Sequence, residues 1–236
     1  TLKGPYLSMK STLPIKDEKF VENIQLVIFD LDGVIVDSEP LHDAAKHAIL
    51  DHLGIQKDVD FSRSVGYPLH ELWLKFIKEY NLSQSSAELE RMQYDFIIVQ
   101  MRERQVPLSN GLTDVLKQLR QQDIRLAVSS SSNRYYVDRV LEYYQLSEWF
   151  EATVGGDEVP KKKPAPDGYL RALELAGVPA RAAVAIEDSE AGSLSAKAAG
   201  IACIGYRNPT SGDQNLTSAD MIINSLSEIS TIILKG

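Results

Sequence analysis

The chain has 236 residues, with 25 Lys and Arg against 33 Asp and Glu, for a formal net charge of −8 at pH 7. Its length suits one large domain or a core carrying a smaller insert, and 44% hydrophobic with 25% charged residues excludes wholesale disorder. The acidic balance argues against a bulk electrostatic grip on nucleic acid or an anionic membrane, and no stretch approaches the ~20 apolar residues of a membrane helix.

Taken in chain order, residues 1–23 mix Lys, Pro, Ser and Glu without a period, and read as an N-terminal tail lacking the apolar segment of a secretory signal. Residues 24–29 are a short apolar run of the kind that forms a fully buried parallel strand. Similar runs follow at 124–129, 152–154, 183–186 and 201–204, with a weaker one at 221–223. Helical spacing separates the later runs: Tyr136, Val137, Val140, Leu141 and Tyr144 form one stripe, and Leu170, Leu173 and Leu175 another. Alternation of strand and helix predicts an α/β doubly wound, mostly parallel sheet, in which ligands sit at the carboxyl ends of the strands.

The interval between the first two runs is too long for a simple crossover, and it is helical throughout. Ser38 or Glu39 can cap a helix with Pro40 near its first position and Gly54 stopping it. Leu69, Leu72, Trp73, Phe76, Ile77 and Tyr80 repeat at three and four, and Ser85 or Ser86 can cap a third helix with Leu89, Met92, Phe96 and Val99 inward. The expected organisation is a core domain of residues 24–37 and 110–236, interrupted by a helical cap domain at 38–109. The single cysteine, Cys203, lies in an apolar run and reads as a buried structural thiol. It excludes an internal disulfide and a cysteine-based zinc site, and a reducing cytoplasmic setting is the default expectation.

Four polar segments fall at the ends of predicted strands. The first run ends in Phe29-Asp30-Leu31-Asp32-Gly33, which delivers two acids into a glycine turn at the sheet's carboxyl edge. Ser129 ends the second and opens Ser130-Ser131-Ser132-Asn133, rich in hydroxyl and amide donors before a helix. Lys161-Lys162-Lys163-Pro164 follows the third, and Lys163, directly before the proline, can present one positive charge to a phosphoryl group. Glu187 and Asp188 end the fourth, and with Asp30 and Asp32 they make an oxygen site for a hard cation such as Mg²⁺. Each segment alone has a plainer reading: capping aspartates, a serine-rich N-cap, a solvated basic face, helix-capping acids. Together they supply what phosphoryl transfer to a carboxylate requires: a nucleophilic acid, a second acid to move the proton, and a cation, lysine and hydroxyl to hold the oxygens.

Phe-Asp-Leu-Asp-Gly-Val-Ile-Val-Asp-Ser-Glu at 29–39, Lys-Pro-Ala-Pro-Asp at 163–167 and Glu-Asp-Ser at 187–189 resemble the motifs of the haloacid dehalogenase superfamily, whose core is Rossmann-like. The nearest branch is that of β-phosphoglucomutase and its sugar-phosphatase relatives, with a helical cap inserted after the first motif. The resemblance implies Asp30 as the nucleophile that forms an aspartyl-phosphate and Asp32 as general acid and base. It implies Ser129 and Lys163 on the phosphoryl group, with Ser130 and Asn133 nearby. Mg²⁺ would bind the Asp30 carboxylate, the Asp32 main-chain carbonyl and Asp188, with Glu187 close or ligating. The implied partner is a small phosphorylated metabolite, a sugar or polyol phosphate, with no nucleic acid and no membrane, handled by a monomer or weak homo-oligomer. Dehalogenation is disfavoured because it needs no metal and its enzymes differ at the second acid.

Phosphatase and mutase share these core motifs, so the cap must distinguish them. His42 lies where the mutase carries a functional histidine, yet Asp-Ser-Glu-Pro-Leu-His at 37–42 is frequent in the phosphatases too. His47 and His52 follow at steps of five and share no helix face for a metal. The mutase follows a cap glycine with Ser-Arg-Glu-Asp, whose arginine grips the distal phosphate. Here Gly66 is followed by Tyr67-Pro68-Leu69-His70, which puts Leu69 at the arginine position, with Arg63 upstream as a substitute. Hydrolysis is therefore the expectation, with the mutase as the alternative and a non-catalytic phosphate-binding scaffold as a remote third. The surface around Tyr67, His70 and Trp73 is expected to set the substrate.

Overall fold

The computed structural model describes residues 23–55, 59, 61 and 69–234. The tail, apart from Asn23, and the expectations for Arg63, Gly66, Tyr67 and Pro68 lie outside the described residues. Six strands form one parallel sheet: β1 (Leu26–Phe29), β2 (Arg125–Ser129), β3 (Ala152–Val154), β4 (Ala183–Glu187), β5 (Ala202–Tyr206) and β6 (Met221–Ile223). Their order is β3-β2-β1-β4-β5-β6. The chain builds outward from β1 through β2 to β3, then returns to lay β4 on the other side of β1. That reversal is a topological switch point, and the crevice it opens lies at the carboxyl ends of β1, β2 and β4.

The central strand carries no polar residue because it is covered on both sides. Val27 and Phe29 face one layer, with α4 (Leu112–Gln121), α5 (Arg134–Tyr143) and α8 (Glu228–Ile233). Leu26 and Ile28 face the other, with α6 (Asp167–Ala176) and α7 (Glu190–Ala198). The period of two along the strand thus assigns each residue to one of two cores. Cys203 is buried in the second of them, and burial pushes its thiol up to about 12.

Between β1 and α4 run α1 (Glu39–His52), α2 (Leu69–Tyr80) and α3 (Ser86–Glu103). Ser38 holds the N-cap position of α1 with Pro40 in the first turn, and Gly54, at φ +74°, reverses the chain just past its end. The Ser38 hydroxyl does not cap; it donates to Asp32 at 2.5 Å. Ser85 begins α3 with a reciprocal capping box to Glu88. Ile49, Leu50, Leu72, Trp73, Phe76 and Leu89 make a separate apolar cluster among the three helices. Leu41 and Ala45 of α1 and Tyr94, Ile97, Ile98 and Met101 of α3 instead join the main core over the sheet. The two ends of this helical segment meet, since Ser109 N–H donates to the Ile35 carbonyl at 3.0 Å. Among the described residues no helix is long and apolar enough to cross a membrane.

Two helix faces differ from the expectation. In α3 the buried face is Leu89, Glu90, Gln93, Tyr94, Ile97, Ile98 and Met101, whereas Met92 and Phe96 are half-buried and Val99 is 48% exposed. The helix is wedged between two clusters and a polar cavity, so its inner face includes Gln93 and Glu90, which an apolar stripe passes over. In α6, Tyr169, Ala172, Leu173 and Ala176 face inward while Leu170 and Leu175 are exposed, because close packing on the alanine-rich strands favours small residues. We expect Leu89→Ala to cost about 2–5 kcal/mol in denaturant unfolding. Val99→Ala should change stability by no more than about 0.5 kcal/mol. The reverse order would restore the apolar-stripe orientation of α3.

Candidate active site

The apolar β1 strand ends at Asp30, whose N–H donates to the Ile186 carbonyl at 3.0 Å and so keeps pairing with β4 one residue past the strand. Its carboxylate accepts from the Lys163 ammonium at 2.6 Å. The same ammonium donates to Glu187 at 2.5 Å and to the Ser129 carbonyl at 2.8 Å, with the lysine side chain only 7% exposed. One cation therefore ties the ends of β1, β2 and β4 together. Glu187 also accepts from the Tyr169 hydroxyl at 2.6 Å, and Asp188 accepts from the Ser211 hydroxyl.

Two glycines make room for these acids. Gly33 turns at φ +80°, and a Cβ there would lie 1.9 Å from an Asp188 oxygen. A Cβ on Gly192, at the start of α7, would lie 1.9 Å from Glu187. The sequence left Glu187 and Asp188 as possible caps of α7, but Ser189 caps it, accepting from Gly192 N–H at 3.0 Å. Both acids are thus spared from capping.

Asp30, Glu187 and Asp188 offer carboxylate oxygens that all lie within 4.8 Å of one another. Burial, then the neighbouring acids, push Asp30 up to about 8 even though Lys163 pulls it down. Burial together with Asp30 and Glu187 raises Asp188 well above the usual carboxylate range. Burial alone would lower Lys163, but Asp30 and Glu187 outweigh it and hold the ammonium charged. Three buried carboxylates against one lysine leave negative charge uncompensated, and every donor is a hard oxygen. This set fits a hard divalent cation.

Asp32 has a different environment. Its carboxylate accepts from Ser38 at 2.5 Å, His42 at 3.3 Å, Ser132 at 2.8 Å and Tyr136 at 3.0 Å. Burial would raise its pKa, but His42 and the hydroxyl donors prevail and bring it down to about 2. His42 is itself oriented from behind. The buried Trp73 indole N–H donates to Gln93 Oε1 at 3.0 Å, so the Gln93 amide N–H₂ faces His42 Nδ1 at 3.1 Å. Nδ1 then accepts and Nε2–H points to Asp32.

Asp30, Asp32 and Asp188 line one cavity with Lys163 and the Ser130-Ser131-Ser132 turn. Glu39, His42 and Lys46 of α1, Leu69 and Leu72 of α2, and Gln93 and Tyr94 of α3 line it from the helical side. The structure therefore brings together Asp30, Asp32, Ser130, Lys163 and Asp188 with His42, and Glu187 adjoins them through Lys163. Two expected residues are placed otherwise. Ser129 does not line the cavity; its hydroxyl is fully buried, lies 2.8 Å from where a Gly168 Cβ would sit, and has no hydrogen-bond partner among the described residues. Asn133 caps α5, its side-chain oxygen accepting from Tyr136 N–H at 3.0 Å.

The expected substrate surface also changes. His70 is exposed and paired with Glu90 at 2.9 Å, and Trp73 is completely buried in the helical cluster. Neither lines the cavity. Sequence reasoning missed Lys46, although it follows His42 by four residues and so shares its helix face. Ser38 and Ser132 stood inside quoted motifs, but Gln93, Tyr94 and Tyr136 carried no local signal.

Folded Asp30 holds its proton to about 8, whereas an ordinary aspartate releases it near 4. The folded state therefore binds more protons than the unfolded chain across that interval, and the metal-free fold loses stability as pH rises through it. A cation on the three acids removes this penalty. The rise in Tm on adding Mg²⁺ to chelator-treated protein should be small near about pH 5 and largest near about pH 8. A rise independent of pH would contradict the crowding of the three acids.

Residues 27–206 match the model of a family described as haloacid dehalogenase-like hydrolase. Protein CbbY of Cereibacter sphaeroides is 28% identical over 216 residues, covering 87% of this chain and 94% of that protein. Hexitol phosphatase B of Escherichia coli K12 is 29% identical over 223 residues, covering 90% of this chain and 97% of that protein. The crystal structure of CbbY from Rhodobacter sphaeroides in complex with phosphate superposes with a TM-score of 0.80 at 27% identity, over 87% of this chain and 96% of that one.

Proposed function

The chain belongs to the haloacid dehalogenase-like hydrolase family, and on that premise we propose that it is a Mg²⁺-dependent phosphomonoesterase acting on a sugar or polyol phosphate. The observation that carries this reading is geometric: Asp30, Asp32, Lys163 and Asp188 line one cavity, and carboxylate oxygens of Asp30, Glu187 and Asp188 lie within 4.8 Å of one another. Asp30, beside Lys163 and this acidic cluster, is suited to be the nucleophile, and Asp32, with its own separate hydroxyl donors, to be the acid and base. Phosphatases among the similar proteins, hexitol phosphatase B for one, support the substrate class.

In this reading Asp30 attacks phosphorus, the P–O bond to the substrate breaks, and an aspartyl-phosphate forms. Asp32 delivers a proton to the leaving oxygen, then withdraws one from the water that hydrolyses the aspartyl-phosphate. The donors around Asp32 hold it ionised before substrate enters; a phosphoryl dianion arriving beside it raises its proton affinity. Lys163 neutralises the transferring oxygens, and the hydroxyls of Ser130 and its neighbours donate to them. Ser129 holds Lys163 through its carbonyl and adds a buried hydroxyl without a partner among the described residues. Asn133 positions this turn by capping α5. Mg²⁺ would be held by the Asp30 and Asp188 carboxylates and the Asp32 main-chain carbonyl, with Glu187 beside them, and would supply charge neutralisation at the phosphoryl group. Residues 38–109 act as a cap over a core of 24–37 and 110–236, shielding the reaction from bulk water.

The His42–Asp32 contact is the observation that keeps the mutase reading in view. Against it, Leu69 lines the cavity at the position where the resemblance places the mutase's phosphate-gripping arginine. The deciding experiment measures phosphate release with Mg²⁺ over a panel of phosphorylated metabolites, beside a coupled assay for conversion of β-glucose 1-phosphate to glucose 6-phosphate. Net phosphate release is expected; isomerisation without release would establish the mutase. Asp30→Asn should lower turnover at least about 10³-fold, and near-wild-type activity would remove Asp30 from the mechanism. Asp32→Ala should lower kcat about 10²–10⁴-fold while the protein still binds Mg²⁺.

A further inference from the structure

The cation site is shaped by which carboxylate oxygens already have a donor. One oxygen of Asp30 accepts from Lys163 at 2.6 Å, and the other has no hydrogen bond among the described residues. Glu187 has both oxygens engaged, one by Lys163 and Tyr169 and the other by Ser189 at 3.2 Å. Asp188 Oδ2 accepts from the Ser211 hydroxyl, and Gly33 packs against it, since a Cβ there would lie 1.9 Å from that oxygen. Asp188 Oδ1 has no hydrogen bond among the described residues. Asp30 and Asp188 therefore each offer one open oxygen, and Glu187 offers none that is free of a donor.

Ser211 is itself held in place. It is buried, lines the cavity, and its carbonyl accepts from the Gln214 side-chain amide at 3.1 Å. The oxygen of that amide accepts from the Glu190 N–H, at the start of α7, at 3.1 Å. Three residues before Ser211, the buried Asn208 donates to the Gly33 carbonyl at 3.1 Å. The segment after β5 is thus tied to α7 on one side and to the glycine turn on the other, and it delivers one hydroxyl to one acid. Phosphoryl transfer alone does not call for that hydroxyl; the choice of cation does. Ca²⁺ takes roughly six to eight oxygens and readily accepts a carboxylate through both of its own. Mg²⁺ demands a near-ideal octahedron, which a carboxylate bound through both oxygens distorts.

We propose that Ser211 is a positioning residue that keeps Asp188 to one open oxygen, so that the site selects Mg²⁺ over Ca²⁺. The inference rests on the cation of the phosphomonoesterase reading and says how the chain chooses it.

Calorimetric titration of chelator-treated protein with Mg²⁺ and with Ca²⁺ provides the test, on wild type, Ser211→Ala and Thr210→Val. Wild type should bind Mg²⁺ more tightly than Ca²⁺. Ser211→Ala frees Oδ2 as a second ligand atom, and should lower the ratio of the Ca²⁺ Kd to the Mg²⁺ Kd by at least about tenfold. Thr210→Val removes a neighbouring hydroxyl that serves Asp37 and Asn208 instead. Its ratio should stay within about twofold of wild type. A general loss of stability in a variant moves both constants and not their quotient. Equal wild-type affinity for the two cations overturns the proposal, and so does an unchanged ratio in Ser211→Ala. An equal fall in Thr210→Val also overturns it, because the placement of the whole segment would then set the choice. In these three outcomes, phosphate release by wild type with Mg²⁺ leaves the phosphomonoesterase reading standing. If wild type binds neither cation, the Mg²⁺ site itself fails and takes this inference with it.

Discussion

The Lys163 ammonium is the interaction on which the rest of the site depends. It joins a carboxylate from the end of β1, another from the end of β4 and a main-chain carbonyl from the end of β2, all at hydrogen-bond distance. A buried ion pair is weak evidence for net stability, since desolvation offsets much of the attraction. Its contribution here is positional. With the cation in place, Asp30 and Glu187 can be packed at the mouth of a parallel sheet; without it, both would be unmatched charges in a low-dielectric crevice. Three carboxylates against this one ammonium leave two negative charges in excess, which suits the centre to a hard cation more than to a closed ionic network.

How much of this was legible in the sequence follows from the kind of constraint at each residue. The strands were legible because a doubly covered parallel strand must be apolar from end to end, and each such run stops where the crevice begins. The acids at those stops, Asp30, Asp32, Glu187 and Asp188, stood out because polar groups there break an apolar rule, whereas Lys163 lies nine residues past the end of β3 and stood out by its place directly before Pro164. Gly33 and Gly192 were less visible; their significance is that a neighbouring carboxylate occupies the space a Cβ would need.

The helical side was harder to read, for a physical reason. Alpha helix α3 packs against two apolar clusters and a cavity at once, so Gln93 and Glu90 lie on its buried face and Val99 is exposed. A periodicity argument assumes one core opposite one solvent side, whereas this helix has a solvent side but divides its buried face between two cores and a cavity. Ser129 is a different case, at the level of one side chain. The strand register delivers its residue to the site, but the hydroxyl faces α6 while the carbonyl meets Lys163. Ser129 follows Ala127 by two on β2, so the strand's alternation already sends its side chain to the α6 layer, beside Gly168.

The line from Trp73 through Gln93 to His42 lies wholly within the three helices, and only its last contact, His42 to Asp32, crosses to the sheet beside the Ser38 hydroxyl. That crossing contact, at 3.3 Å, is also the longest of the three. A displacement of the helices as a body would carry the two inner contacts along unchanged and concentrate its whole effect on the joint. Asp32 would then keep Ser132 and Tyr136 and lose the donors from the helical side. The proton affinity of Asp32 is thus set from two sides at once, by hydroxyls fixed beside the sheet and by donors whose distance depends on where the helices sit.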